Sequence, residues 1–182
     1  FSGNESDQIG NDTYRSDGNT YNYSQAVQDL TSVTGNVQSL KNAVNELAAA
    51  GSTRTDFGLN QAQRVLDGDW QHGLGGAREE AKQVVVVFTD GEPSTFSNWS
   101  GGVAANAVNL AKDLKDDKVT VYTIGMFEDA DPSDTDGRFN KYMNGVSSNY
   151  PNAEVTNWRG DRTQDWDDCK LGTRVTEGNY YF

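Results

Sequence analysis

Residues 84–93 read Val-Val-Val-Val-Phe-Thr-Asp-Gly-Glu-Pro. An unbroken run of β-branched residues of this length predicts a strand buried on both faces, in the middle of a parallel sheet. Gly91 and Pro93 then stop the strand and force a turn. The strand therefore delivers Asp90 to the C-terminal edge of a sheet, where open α/β folds place their ligands. Burying a carboxylate there is costly unless a cation or a hydrogen-bond donor meets it.

The surrounding pattern extends this reading. Leu40, Ala43, Val44 and Leu47 recur at helical spacing between Val37 and Ala50, and Gly51 ends that run. A second helix is predicted over Asp56–Leu66, with Phe57, Leu59, Ala62, Val65 and Leu66 inward and Thr53 or Thr55 as its N-cap. A third is predicted over Gly102–Lys115, burying Val103, Ala107, Leu110, Ala111 and Leu114. Val119–Gly125 reads as another fully buried strand, and the acidic loop Glu128–Gly137 leads to a helix with Phe139, Tyr142, Met143 and Val146 on one face. Residues 1–24 read as a surface excursion without a helical period, 152–178 as irregular, and Asn179–Phe182 as the start of a strand. Helix and strand alternate, which predicts an α/β, doubly wound, mainly parallel sheet flanked by helices. The 182 residues suit one domain, and no linker or repeat marks a second.

Composition narrows the function. A net charge of −12 argues against a nucleic-acid partner, because phosphates require a basic surface. It fits a chain that attracts cations or basic partners, and equally one that is only soluble. No apolar run reaches membrane-spanning length. One cysteine, Cys169, excludes an internal disulfide and a cysteine zinc cluster. Its neighbours Asp167 and Asp168 are expected to raise the thiol pKa. The one histidine, His72, lies in the Gly-rich loop Asp67–Gly76, so any histidine-based site would rest on it alone.

Two segments together resemble a von Willebrand factor type A domain. Phe88-Thr89-Asp90-Gly91-Glu92-Pro93 is similar to the family's "TDGxP" strand end, and Gly51-Ser52-Thr53-Arg54-Thr55-Asp56-Phe57-Gly58-Leu59 to its "GGTxTxxGL" loop. Ala111–Asp117, Asp129–Ser133 and Val146–Ala153 further resemble A domains of Gram-positive surface proteins and pilus-tip adhesins. The resemblance implies a Rossmann-like fold and a metal-ion-dependent adhesion site fed by three loops. One loop carries Asp-x-Ser-x-Ser, one a threonine and one an aspartate. On this chain the threonine is Thr53, five residues before Gly58, and the aspartate is Asp90. Magnesium suits such hydroxyl and carboxylate oxygens, with manganese or calcium as alternatives. An acidic group on a partner protein would complete its shell.

The Asp-x-Ser-x-Ser loop does not occur in the sequence. Phe1-Ser2-Gly3 resembles the end of the family's second strand, so the chain reads as a domain truncated at both ends. Magnesium binding by these residues alone is then expected to be weak or absent. Asp131-Pro132-Ser133-Asp134-Thr135 has the Asp-x-Ser-x-Thr spacing but in the wrong chain order, and its aspartates do not align as an EF-hand. A solvated acidic loop is the reading adopted for residues 128–137.

An enzyme reading is also available. A haloacid-dehalogenase-type phosphatase ends a buried strand in Asp-x-Asp-Gly, but Phe88 stands where its nucleophile would be. Gly73-Leu74-Gly75-Gly76 lacks the Lys-Ser/Thr pair of a phosphate loop. The expectation is therefore a non-enzymatic adhesion domain, extracellular and wall-anchored or secreted. The alternative is an intracellular A-type domain serving a metal-chelatase or other ATPase complex. Trp70, Trp99, Trp158 and Trp166 fall in predicted loops, either packing there or rimming a binding face, and Glu92 either is merely exposed or tunes ligand choice.

Overall fold

A computed structural model describes residues 13–16, 19–22, 28–34, 37–46, 52–70, 74–95, 98–156 and 166–175. Phe1–Gly3, His72, Trp158 and the strand expected at 179–182 lie outside the described residues. The described residues fall into two compact units, one within 1–51 and 60–81, the other within 52–59 and 82–182.

In the first unit, β1 (Thr13–Ser16) and β2 (Asn19–Asn22) pair antiparallel, Thr13 against Asn22 and Ser16 against Asn19. The excursion expected over 1–24 thus contains a hairpin. Its signal was an Asp17-Gly18 pair, which favours tight strand reversal. Helix α1 (Val37–Asn45) forms where the period predicts but buries none of its described side chains. Helix α2 (Thr55–Asp67) begins in the second unit and ends in this one, with Ala62 and Val65 buried. Gly68 and Gly76, both at positive φ, press their backbones together after it, and a Cβ at Gly68 would lie 3.1 Å from the Gly76 nitrogen.

The second unit is built on β3 (Val84–Thr89) and β6 (Thr120–Gly125), paired parallel from Val84↔Thr120 to Thr89↔Gly125. Helix α3 (Gly101–Asp116) makes the crossover. Ser100 caps it, its hydroxyl accepting the Val103 N–H at 3.3 Å, and Val103, Ala107, Val108, Ala111 and Leu114 are buried along it. Helix α4 (Arg138–Val146) buries Phe139, Tyr142, Met143 and Val146, as its period predicts. Short strands β4 (Ser94–Thr95) and β5 (Asn98–Trp99) precede α3. β7 (Glu154–Val155) pairs antiparallel with β8 (Cys169–Lys170), so the stretch expected to be irregular carries order at both ends.

The expectation of strands buried on both faces fails. Val87 and Thr89, and Val121 and Thr123 beside them, are buried, whereas Val84, Val86, Phe88 and Ile124 are 42–64 % exposed. Successive strand side chains point to opposite faces. Within this unit α3 and α4 both pack on β6. Leu110, expected inward on α3, is half-buried, as are Phe57 and Leu66 on α2.

Lys115 ties α3 to the end of α4. Its buried ammonium donates to the carbonyls of Gly145 (2.8 Å), Ser147 (3.4 Å) and Tyr150 (3.0 Å). Burial pulls its pKa from 10.5 down to about 7. The three acceptors at a helix C-terminus compensate its desolvation.

Candidate metal centre

Asp90 follows β3 directly and is exposed at the C-terminal edge of the parallel pair. The turn carrying it is fixed from within. The buried Thr89 hydroxyl accepts the Gly91 N–H at 3.2 Å and donates to the Gly91 carbonyl at 3.0 Å. The Thr89 carbonyl accepts Met126 N–H at 3.0 Å, joining the loop after β6 to the same edge.

The structure brings Thr53 to this turn. A Cβ placed on Gly91 would lie 2.8 Å from Thr53 Oγ1, so the threonine hydroxyl occupies the space that a side chain at 91 would need. Thr53 is half-buried and held by a reciprocal pair of hydrogen bonds. Its N–H donates to Ser94 Oγ at 3.0 Å, and its carbonyl accepts the Ser94 N–H at 3.0 Å. The two site residues named from sequence therefore belong to adjoining loops stitched across 41 positions of chain.

Neither threonine caps α2 by its hydroxyl. Thr55 is the first helical residue, and its Oγ1 is buried. The fully buried Tyr142 hydroxyl meets that of Thr55, and burial pushes its pKa up while Thr55 opposes the rise. Sequence reasoning also missed Asp56. It is 2 % exposed, in the first turn of α2, and forms a bidentate pair with Arg54: Nε to Oδ1 at 2.9 Å, Nη2 to Oδ2 at 2.8 Å. Asn106 Nδ2 adds a contact at 3.4 Å, and the Arg54 guanidinium lies 3.4 Å from the Phe57 ring centroid. The signal was an acid in a helix's first turn with an arginine two residues before it. So neutralised, Asp56 serves the scaffold of the loop.

Glu92 is not merely exposed. Its carboxylate accepts Arg138 Nη2 at 2.7 Å, and the same guanidinium lies 4.6 Å from the Trp99 ring centroid. Trp99 and Trp166 pack edge-on at 5.5 Å between centroids and both adjoin Tyr142, which favours the packing reading for these two; Trp70 is 85 % exposed.

Two carboxylates of the loop 128–137 bond within the loop itself. Asp131 accepts from the Ser133 hydroxyl and N–H, which hold its pKa below the usual range. Asp134 accepts the N–H groups of Gly137 and Asp136 and the Asn140 amide, and its pKa is lowered by these bonds, Gly137 first. Cys169 is buried, and burial raises its pKa to about 11. The flanking aspartates expected to do this are not the cause, and Lys141 and Lys115 oppose the rise.

Among the described residues no three His, Cys, Asp or Glu side chains converge on one point. Thr53 and Asp90 would instead offer two oxygen donors, one neutral and one anionic, at the C-terminal edge of the parallel pair. That donor set suits a hard divalent cation and leaves most of an octahedral shell to other ligands.

A family model for the von Willebrand factor type A domain matches residues 3–159. No curated protein and no solved structure matches the chain.

Proposed function

This chain belongs to the von Willebrand factor type A domain family, and on that premise we propose that it is a non-enzymatic, metal-dependent adhesion module of a Gram-positive cell-surface protein. Domains of this family have a Rossmann-like α/β fold, commonly hold a divalent metal and generally bind proteins. In this chain Thr53 and Asp90 would hold the cation, magnesium by our reading. When bound, a divalent cation supplies an open coordination position to an acidic oxygen. The protein's own part is positional. Thr89 fixes the turn that carries Asp90, Ser94 fixes Thr53, and Gly91 keeps the gap between them free of a side chain. The single observation that supports this reading most is the seating of the Thr53 hydroxyl against the Asp90–Gly91 turn.

The setting is part of the proposal: an extracellular protein, wall-anchored or secreted, whose partner is a protein carrying an exposed carboxylate. Among the described residues no helix is long and apolar enough to cross a membrane. The test compares the full-length protein with its Asp90→Ala variant for adhesion to surface-protein extracts in magnesium and in EDTA. Adhesion should be lost in EDTA and in Asp90→Ala, with the circular dichroism and urea midpoint unchanged. Adhesion that survives both would overturn the reading.

A further inference from the structure

Two residues beyond Asp90 the same turn carries a second carboxylate, Glu92. The Thr53 hydroxyl sits against Gly91, the residue between the two acids. Consecutive Cα atoms are about 3.8 Å apart, so the Glu92 backbone lies one residue step from the gap between the candidate donors. Left free, this carboxylate is an internal ligand for any cation held there. Tethered so closely, it acts at an effective concentration on the order of millimolar, against a partner's acid in dilute solution.

The structure holds Glu92 elsewhere. Its Oε2 accepts Arg138 Nη2 at 2.7 Å. An exposed ion pair by itself is weak, because two long side chains must be ordered to make it. Here the arginine is ordered in advance. Its guanidinium lies 4.6 Å from the Trp99 ring centroid. Trp99 is wedged edge-on against Tyr142 at 6.3 Å and Trp166 at 5.5 Å, both buried. A guanidinium seated on a fixed aromatic ring loses less freedom on pairing than a free one. Arg138 also opens α4, whose N-cap Gly137 makes no side-chain cap bond. A helix dipole disfavours a cation at that end. The arginine is thus set against its own helix, and its contacts run to the Asp90 turn and to β5.

We propose that Arg138 is a positioning residue that keeps Glu92 off the cation site and so reserves the open coordination position for a partner's carboxylate. The proposal rests on the reading that Thr53 and Asp90 hold a divalent cation. Release of Glu92 from Arg138 has two effects of opposite sign. The freed carboxylate adds negative charge to the donor set, which tightens cation binding. It also takes the place of the partner's acid, which weakens adhesion. A merely loosened turn would weaken both. An arginine that touched the partner directly would weaken adhesion whether or not Glu92 were present.

The full-length protein is titrated with magnesium by calorimetry, and its adhesion to surface-protein extracts is measured at saturating magnesium. Arg138→Gln should bind magnesium about tenfold more tightly and adhere about tenfold more weakly. Adding Glu92→Gln to that variant should return both quantities to within about threefold of the parent. In EDTA, amide exchange at Glu92 should quicken in Arg138→Gln, while that at Met126, bonded to the Thr89 carbonyl, should not change. Unaltered exchange at Glu92, unchanged adhesion or weaker magnesium binding in Arg138→Gln, or adhesion that the double variant fails to restore would overturn the proposal. Magnesium binding that survives Asp90→Ala would instead sink the metal-site reading, and this proposal with it.

Discussion

The residue on which the candidate centre turns is Gly91. Its φ is ordinary, so its constraint is spatial: a methyl group there would sit 2.8 Å from Thr53 Oγ1. Gly91→Ala should displace Thr53 and weaken metal-dependent binding as severely as Thr53→Ala does. Its cost in folding stability should be about 1–3 kcal/mol, the range for forced overpacking, read from urea midpoints. At the same scale, Asp134 gives a pH dependence. Its folded pKa lies below its ordinary value of 3.8, held there by Gly137 N–H and then the Asn140 amide. Such a carboxylate contributes stability that is present above pH 3.8 and lost as pH falls through the lowered value. Amide exchange at Gly137 and Asp136 should therefore accelerate below that pH, and Asp134→Asn should abolish the acid dependence. Thr53 and Asp90 were legible in the sequence because the segments that carry them, Gly51–Leu59 and Phe88–Pro93, resemble two loops of a known family. Asp56 was not, since its burial depends on Arg54 folding back over Phe57 and on Asn106 arriving from fifty positions away.

At the scale of elements, the informative contrast is between the helices of the second unit and the strands they cover. α3 and α4 were readable because the apolar residues of each recur at a period of 3.6, although α4 buries all of its residues but Arg138 and Lys141. Lys115 within that pattern is the exception, a cation at an apolar position, explained only by the three carbonyls it meets. Lys115→Met keeps the stem and removes the donors. It should destabilise the protein by about 1–3 kcal/mol through unsatisfied carbonyls, measurable by urea unfolding. A midpoint unchanged in Lys115→Met would show that water replaces the ammonium. The strands were read less well. Four valines in sequence cannot reveal which faces are covered, since burial on one face or two produces the same letters. Val121→Thr, on the covered face, should cost about 1–3 kcal/mol, whereas Val86→Thr, 55 % exposed, should stay within about 0.5 kcal/mol.

For the whole molecule, the family is established across residues 3–159, a span that draws on both compact units. The fold class could be read from the order of helices and strands alone. The hairpin β1–β2 could not, because its residues are polar on both sides of the alternation and only the Asp17-Gly18 pair announces it. Net charge is a property of this scale too. At −12 the chain repels acidic ligands at long range, an effect that salt screens.

The reciprocal bonds between Thr53 and Ser94 carry one more consequence. Ser94 lies four residues beyond Asp90 on the same strand exit, so the oxygen-bearing threonine is fastened downstream of the aspartate rather than to it. Tension applied through the chain after Pro93 would reach Thr53 sideways, by way of a serine, and draw it along. A pulling force along that route would act on the hydroxyl side of the site without passing through the carboxylate.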